Sequence, residues 1–363
     1  MRIAQVAPLY ESVPPKLYGG TERVVYWLVE ELVHQGHDVT LFASGDSVTS
    51  ARRLIAPCRA ALRLDPRVEE PLAHHHIMLD QVFSEAASFD IIHFHISYLH
   101  FPLVRRCNVP HLTTVHGRLD IPDLVPLYKK FSDVPLVSIS DHQRCYLPWA
   151  NWQGTVHHGL PLSLYSYRPP KGDYLAFLGR ISLEKRVDRA IEIATRAGIK
   201  LKIAAKIDAA DRKYYHKTIE PLLNNPLVEC IGEIDEQGKQ QFLCNARALV
   251  FPIDWPEPFG LVLIEAMACG TPVIAFGRGS VPELIENGVT GFIVGSVDEA
   301  LAVLPKLESF DREACRQAFE RRFSAQRMTE DYLRIYRRLI GGRFRRSAAY
   351  RGSISNFVAH TSD

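Results

Sequence analysis

The sequence lacks the features that mark several specialised classes of protein. Its seven cysteines include no C-x-x-C pair, and Lys and Arg (43) barely outnumber Asp and Glu (41), for a formal charge of +2. No stretch reaches the roughly 18 apolar residues that cross a membrane. Scattered cysteines argue against a disulfide framework or a zinc site and favour a reducing compartment. We therefore expect a cytoplasmic protein, and the nearly balanced charge gives no reason to expect a nucleic-acid partner.

Two further sequence signals are absent. The amino-terminal MRIAQVAPLY begins an apolar, strand-like run, so we do not expect a signal peptide. The first predicted strand is followed by adjacent glycines and not by G-x-G-x-x-G, which disfavours a nicotinamide-dependent oxidoreductase.

The 363 residues alternate between short apolar runs and amphipathic segments, which predicts βα units around two parallel sheets. The predicted strands are 2–8, 39–43, 90–95, 111–116 and 135–140, then 174–179, 200–205, 227–231, 248–252, 272–275 and 291–294. The predicted helices include 21–35, 184–197, 260–269, 312–322 and 325–340.

A change in amino-acid composition divides the chain into two parts. The stretch GLPLSLYSYRPPKGD is rich in Pro, Tyr and Ser and predicts an interdomain linker. We expect an amino-terminal domain at 1–165, a carboxyl-terminal domain at 166–323 and a closing helix at 324–340 that packs back on the first domain. The basic, aperiodic tail 341–363 is expected to be disordered, with weak membrane-surface or partner contact as the alternative. Ligands of such sheets bind at the carboxyl ends of the strands, here between the domains.

Two motifs are typical of anion binding. In KLYGGTERVV, Gly19 and Gly20 lie between a strand and a helix start, where backbone N–H groups can approach an anion; an ordinary turn is the alternative. In FLGRISLEKR, Arg180 and Lys185 lie at a strand-to-helix junction and can neutralise a diphosphate. A solvated helix start with i,i+4 charge pairs is the alternative there.

The third motif is WPEPFGLVLIEAMACG, which places Glu257 and Glu265 among apolar residues. Glu257 is predicted on a proline-stiffened loop and Glu265 inside the following helix, whose first N–H groups belong to Phe259, Gly260 and Leu261. A carboxylate accepts hydrogen bonds from two hydroxyls, which suits a ribose diol or neighbouring sugar hydroxyls. The alternative is a surface glutamate plus an acidic residue that complements the helix dipole.

Together, GGTE, GRISLEK, EPFGLVLIEAMACGTPVIA and GSVPELIENGVTGFIV resemble, in this order, the retaining glycosyltransferases of family four (group 1). The resemblance covers Met1 to about Ile340 and implies the α/β GT-B architecture, two Rossmann-like domains that face each other across a cleft. It also implies metal-independent transfer of a hexose from a nucleotide diphosphate sugar to a hydroxyl acceptor by front-face attack, with retained anomeric configuration. UDP-glucose is the favoured donor, and the acceptor is a glycan, a lipid-linked sugar or a small molecule.

The resemblance also assigns roles. Arg180 and Lys185 would hold the diphosphate and stabilise the leaving nucleotide, with Gly19 and Gly20 facing it from the other domain. Glu265 would bind the ribose and Glu257 the donor sugar, and His116 would lie beside the reacting sugar. The backbone of Phe259, Gly260 and Leu261 would contact sugar and phosphate. Arg186 replaces the small residue that usually follows the motif lysine and is left outside the predicted site.

The remaining histidines are interpreted from position. His95 is expected to line the cleft, and His74, His75 and His76 are expected on an exposed loop or helix start. No cysteine or carboxylate cluster accompanies the alternating His93 and His95, so we do not predict a metal site.

Other functions are open at this stage. A GDP-mannose-dependent mannosyltransferase would use the same residues, and a nucleotide-sugar epimerase shares the two-domain architecture. A catalytically silent scaffold is disfavoured because none of the motif residues is lost.

Overall fold

The computed structural model describes residues 1–17, 19–167 and 172–358. Tyr18, the RPPK segment of the predicted linker and the last five residues of the predicted tail lie outside the described residues.

The strands are short and mostly buried. They are β1 (Arg2–Val6), β2 (Asp38–Phe42), β3 (Arg53–Ile55), β4 (Ile91–Phe94), β5 (His111–Val115), β6 (Leu136–Ser138), β7 (Trp152–Thr155), β8 (Tyr174–Arg180), β9 (Lys200–Lys206), β10 (Val228–Gly232), β11 (Ala246–Phe251), β12 (Val273–Phe276) and β13 (Gly291–Val294).

The α-helices connect these strands and close the chain. They are α1 (Gly20–His34), α2 (Pro71–Ser84), α3 (Phe101–Val104), α4 (Leu124–Lys130), α5 (Asp141–Arg144), α6 (Val187–Ala197), α7 (Arg212–Tyr214), α8 (Glu236–Cys244), α9 (Leu261–Ala268), α10 (Val281–Leu284), α11 (Val297–Val303), α12 (Arg312–Arg322) and α13 (Ala325–Val358). Shorter helical turns, of 3₁₀ type except for the π turn at 215–219, are Leu62–Leu64, Ala86–Ser88, Ala209–Asp211, Tyr215–Ile219, Glu220–Asn224 and Leu304–Ser309.

The two parallel-sheet domains predicted from the sequence are confirmed. Across the described residues, one sheet has the strand order β3-β2-β1-β4-β5-β6-β7 and the other the order β10-β9-β8-β11-β12-β13. Every pairing in both sheets is parallel, so all carboxyl ends in a sheet lie at one edge. In each sheet, successive strands are added first on one side of the first strand and then on the other, so the direction reverses between β1 and β4 and between β8 and β11. Loops diverge at such points and leave a crevice for a ligand.

The hydrophobic core joins the domains as well as filling them. One cluster lies in the amino-terminal domain and another in the carboxyl-terminal domain. A third contains Val24 of α1, Leu263 of α9 and Tyr332 of α13, so it extends through the facing sides of both domains. No helix in the described part of the chain has the length and apolar character that crossing a bilayer requires.

Several elements differ from those predicted. The helix predicted at 184–197 begins at Val187, because Arg186 before it has a left-handed backbone (φ 52°). Glu184 and Lys185 therefore lie on the preceding loop. The short strands β3 and β7 and the helix α2 were not predicted, because three or four residues show no clear period and the HHH run of α2 obscures its apolar face.

The closing helix is also longer than predicted. α13 does not end near residue 340 but extends to Val358, so helix replaces the predicted disorder over 341–358. Arg and Ala, which have high helix propensity, follow Gly341 and Gly342 and allow the helix to propagate from its packed first half.

The chain passes between the domains twice, side by side. Leu160 leaves the first domain, and Ser324 leads back from α12 to α13, which packs against α1. Leu160 donates its N–H to the Phe323 carbonyl and accepts from the Ala325 N–H, each at 2.8 Å. Arg327 donates to the carbonyls of His157 and His158 at 2.6 and 3.1 Å. We call this pair of segments the double crossover (residues 157–160 and 323–327).

The double crossover tolerates no side chain at Gly159, where a Cβ would lie 2.2 Å from the Ser324 carbonyl oxygen. We expect Gly159→Ala to lower the free energy of unfolding by about 2–3 kcal/mol, because the two backbones would have to separate. Chemical denaturation measures this. The matched control is Gly341→Ala, where no atom lies within 4 Å and a helical alanine is expected to be neutral or stabilising. Equal stability of Gly159→Ala and wild type would contradict the close approach.

Candidate active site

A cleft of about 580 Å³ lies between the carboxyl ends of the two sheets. The residues to which the family resemblance assigns a role all line it: Gly19, Gly20, His116, Arg180, Lys185, Glu257, Phe259, Gly260, Leu261 and Glu265. The structure thus brings together the glycine motif and His116 of the amino-terminal domain and the two motifs of the carboxyl-terminal domain.

Two helix starts face each other in the cleft. α1 begins at Gly20 and α9 at Leu261, and a Cβ built on Gly20 would lie 3.4 Å from Cδ1 of Leu261. Gly19 and Gly260 precede these helices with φ of 152° and 87°, and as glycines they provide no capping side chain. Free N–H groups and the positive ends of two helix dipoles therefore point toward the same space, which suits an anion.

Glu257 lies on the loop before α9 and is 8% exposed. Its Oε2 accepts hydrogen bonds from Lys185 Nζ and, at 3.0 Å, from Trp255 Nε1. The Lys185 ammonium also lies 5.2 Å from the Trp255 ring centroid. The loop is fixed from behind, because the N–H and hydroxyl of Ser280 donate to the carbonyls of Glu257 and Phe259 at 3.0 and 2.7 Å. Glu257 and Lys185, both predicted to bind the donor, thus form an ion pair with each other in the structure.

Glu265 lies one and a half turns inside α9 and is 3% exposed. Its charge is compensated by Lys239 of α8, whose Nζ lies 2.7 Å from Oε1 of Glu265 and 3.6 Å from Glu236. Burial lowers the pKa of Lys239, and the neighbouring Glu265 opposes that shift. Glu236 in turn pairs with Arg23 of α1 and accepts from the Tyr165 hydroxyl. This ion-pair network connects the second glutamate to the opposite domain.

Arg180 ends β8 and is surrounded by carboxylates. Its guanidinium nitrogens lie 3.1 Å from Glu184, 3.4 Å from Asp211 and 3.6 Å from Asp208. Arg118 of the amino-terminal domain also contacts Glu184, at 2.9 Å. Arg180 is therefore oriented at the cleft edge by acidic neighbours.

The Arg186 side chain does not take part in the predicted donor-binding site. It pairs with Asp188 at 2.7 Å and Asp254 at 3.1 Å, and it does not line the cleft.

The histidine predictions need two corrections. His95 does not line the cleft: it is 3% exposed and lies beneath His116, with Nδ1 2.8 Å from Nε2 of His116. His95 follows β4, and His116, which follows the neighbouring strand β5, lies over it on the cleft side. His74, His75 and His76 lie on α2, and His75 is buried, where Nε2 accepts from the Leu9 N–H at 3.3 Å. Over the described residues, no three His, Cys, Asp or Glu side chains are grouped as metal ligands.

Sequence reasoning missed several charged residues of the cleft wall. Lys239 belongs to a helix without a recognisable motif. Arg63 and Glu11 form an ion pair with each other, but they are far apart in sequence and neither belongs to a motif. Glu22 and Arg23 belong to the quoted GGTERV motif and could have been included. Burial raises the pKa of Glu22 to about 7, which Glu11 reinforces and Arg63 and Arg23 oppose.

Comparison with known proteins places this site in a family. The model described as "Glycosyl transferases group 1" matches residues 166–313, and the model described as "Glycosyltransferase Family 4" matches residues 18–152. Glycogen synthase of Mycobacterium tuberculosis is 26% identical over 391 residues, covering 92% of this chain and 91% of the relative. The match covers less than half the length of several other curated relatives. One is D-inositol 3-phosphate glycosyltransferase of Mycobacterium leprae, which is 32% identical over 43% of its length and 48% of this chain.

Solved structures share the fold. Sucrose-phosphate synthase from Thermosynechococcus elongatus superposes with a TM-score of 0.76 at 19% identity, over 94% of this chain and 99% of that one. Anabaena HepE in complex with UDP and glucose superposes with a TM-score of 0.70 at 16% identity, over 92% and 98%. With matching models over both domains and this two-sheet architecture, the chain belongs to the group 1 glycosyltransferases of family 4, enzymes of the GT-B fold.

Proposed function

We propose that the protein is a retaining hexosyltransferase that transfers a sugar, favoured as glucose from UDP-glucose, to a hydroxyl acceptor without a bound metal ion or other cofactor. The observation that carries the proposal is the pairing of two buried carboxylates with two lysines between two facing helix starts. The glutamates match the hydroxyls of a nucleotide sugar, and the cations and N–H groups match its diphosphate.

The proposed reaction follows from where charge develops. The bond from the anomeric carbon to the phosphate oxygen breaks, and the diphosphate gains negative charge while the sugar becomes oxocarbenium-like. Arg180, Lys185 and the helix starts stabilise that negative charge in place, with little reorganisation. The acceptor oxygen then attacks the same face, and its proton passes to the leaving phosphate oxygen.

The ion pairs of the cleft are compatible with this role. Lys185 can exchange Glu257 for a phosphate oxygen, which releases Glu257 to accept from sugar hydroxyls. Each charge retains a partner before and after binding, so no unpaired buried charge is created. His116 and the backbone of Phe259, Gly260 and Leu261 would contact the sugar.

The donor preference rests on the solved relative that contains UDP and glucose, and GDP-mannose remains the alternative donor. The acceptor is a glycan, a lipid-linked sugar or a small molecule. We further propose a cytoplasmic location, with any membrane contact peripheral.

Removing either member of the Glu257–Lys185 pair tests the mechanism. We expect Lys185→Ala and Glu257→Ala each to lower turnover of the preferred nucleotide sugar by roughly 10²–10³-fold, since an oriented electrostatic contact is lost. Coupled release of nucleoside diphosphate measures turnover, and circular dichroism checks folding.

The matched control is Lys202→Ala on β9, whose ion pair with Glu229 at 3.5 Å lies outside the cleft. Full activity of Lys185→Ala would contradict the proposal. Conversion of the donor to another sugar without acceptor would indicate an epimerase, and an inverted anomeric product would exclude retention.

Ligand-dependent stabilisation tests the donor site. We expect one of UDP-, GDP- or ADP-glucose and GDP-mannose at millimolar concentration to raise the melting temperature, because only the folded state binds it. Glu265→Gln should reduce this shift and also abolish the preference for the natural donor over its 2′,3′-dideoxyribose analogue. The absence of a shift with every nucleotide sugar would refute donor binding.

The pKa of Glu22 predicts a pH dependence. Burial raises this pKa to about 7, so the carboxyl is largely neutral below pH 7 and ionises above it. An anionic diphosphate beside the α1 start is favoured by the neutral form, so UDP-glucose affinity should fall roughly tenfold from pH 6 to pH 8.5. Isothermal titration calorimetry measures the affinity. Glu22→Gln stays neutral and should flatten the profile; an unchanged profile in that variant would assign the dependence to another group.

A further inference from the structure

A chain of buried hydrogen bonds extends from His116 in the cleft to the closing helix. His116 Nε2 lies 2.8 Å from His95 Nδ1, and His95 Nε2 lies 2.9 Å from Oε1 of Gln5. Nε2 of Gln5 donates to the Tyr336 hydroxyl at 3.0 Å, and that hydroxyl lies 2.7 Å from His93 Nδ1. Gln5, His93 and Tyr336 are 0% exposed, so water does not compete with these bonds. We call Gln5, His95 and Tyr336 the relay.

The polarity of the relay follows from the hydrogen-bonding capacity of each atom. An amide oxygen only accepts, so His95 Nε2 must carry a proton. Burial holds the pKa of His95 well below its ordinary value, so the ring is neutral and its Nδ1 accepts. His116 Nε2 must therefore donate. Burial also lowers the pKa of His116 to about 3, which leaves a lone pair on its Nδ1.

The far end of the relay is consistent with this direction. The Tyr336 hydroxyl accepts from Gln5 and has one proton, which it donates to His93 Nδ1. His93 Nε2 then donates to the Thr114 hydroxyl at 2.7 Å. Each of these groups has a role that agrees with those of its neighbours.

The free nitrogen of His116 belongs to the cleft. His116 is half-buried and lines the cleft, its Nε2 is occupied by His95, and no hydrogen bond involves its Nδ1 within the described residues. The ring stacks on His158 with centroids 5.3 Å apart, so it has little freedom to flip.

We propose that Gln5, His95 and Tyr336 are positioning residues that hold His116 in its Nε2–H tautomer, so that Nδ1 accepts a hydrogen bond from a ligand hydroxyl. The relay selects hydroxyl donors against groups that only accept, such as phosphate oxygens. That the hydroxyl belongs to a sugar rests on the proposed function; the tautomer does not. Tyr336 comes from α13, so a helix that follows the carboxyl-terminal domain in sequence completes the recognition of a ligand by the first domain.

Nitrogen NMR tests the tautomer without requiring activity. In protein labelled with ¹⁵N-histidine, with His116 assigned by comparison with His116→Asn, we expect Nε2 to carry the proton and Nδ1 to have the shift of an unprotonated nitrogen. Tyr336→Phe removes the group that fixes the Gln5 amide, so His116 should become a mixture of tautomers. Gln5→Leu should give the same result, and the smaller change Tyr336→Phe carries the test if Gln5→Leu does not fold.

The matched control is Tyr174→Phe. This substitution also removes a buried tyrosine hydroxyl, which donates to the Phe242 carbonyl at 2.6 Å. Tyr174 lies outside the cleft. This control should lower stability and leave the His116 signals unchanged. A protonated Nδ1 in the wild type, or an unchanged tautomer in both relay variants, would overturn the proposal.

A double-mutant cycle separates positioning from structural support. We expect Tyr336→Phe to lower turnover of the preferred nucleotide sugar roughly tenfold with little change in affinity for the nucleoside diphosphate, because Glu265 is untouched. In a His116→Ala background the same substitution should have no further effect on turnover. An equal loss with and without His116 would show a purely structural role and overturn the proposal. If no nucleotide sugar is turned over by the wild type, the proposed function fails, while the NMR result still decides the relay.

Discussion

The cost of burying negative charge governs the arrangement of the cleft. Glu257 and Glu265 are both less than one-tenth exposed, and each has a lysine beside it from a different element of the same domain. Removing one partner of a buried pair leaves an uncompensated charge, so these lysines and glutamates constrain one another. The positions of the loop after β8, of α8 and of α9 are therefore coupled through electrostatics as well as packing. Each of the two glutamates thus has a neighbouring cation, and the proposed binding of hydroxyls and phosphates rests on this arrangement.

The sheets explain why such a site forms between two domains. In each sheet the strand order reverses next to its first strand, and a loop there leads to the start of a helix that faces the cleft. The two domains thus present similar electrostatic features to one space: α1 on one side and α9 on the other. The fold places two helix starts at one cleft, and under the proposed function the side chains of Glu257 and Glu265 add the selectivity for hydroxyls.

The features predicted from the sequence are those that depend on local pattern. Strand β13 and helix α12 have the predicted bounds, because apolar runs and caps are visible in a short window. The spacing of Glu257 and Glu265 indicated correctly that one lies on a loop and the other on a helix. Lys239 could not be found in this way, since its pairing with Glu265 depends on how α8 packs on α9. The burial of His95 under His116 likewise depends on two strands, and alternation along β4 alone does not distinguish cleft from interior.

The position of α13 has a consequence for how the chain folds during synthesis. This helix follows both domains in the sequence, yet it packs on α1 and its tyrosines complete the hydrogen bonds of Gln5, His93 and Thr114 in the first domain. A nascent chain that has emerged only as far as residue 327, the end of the double crossover, still lacks most of α13. It would expose the apolar face of α1 and leave those buried polar groups without hydrogen bonds. The first domain can therefore reach its final packing only after the second domain and α13 have been synthesised.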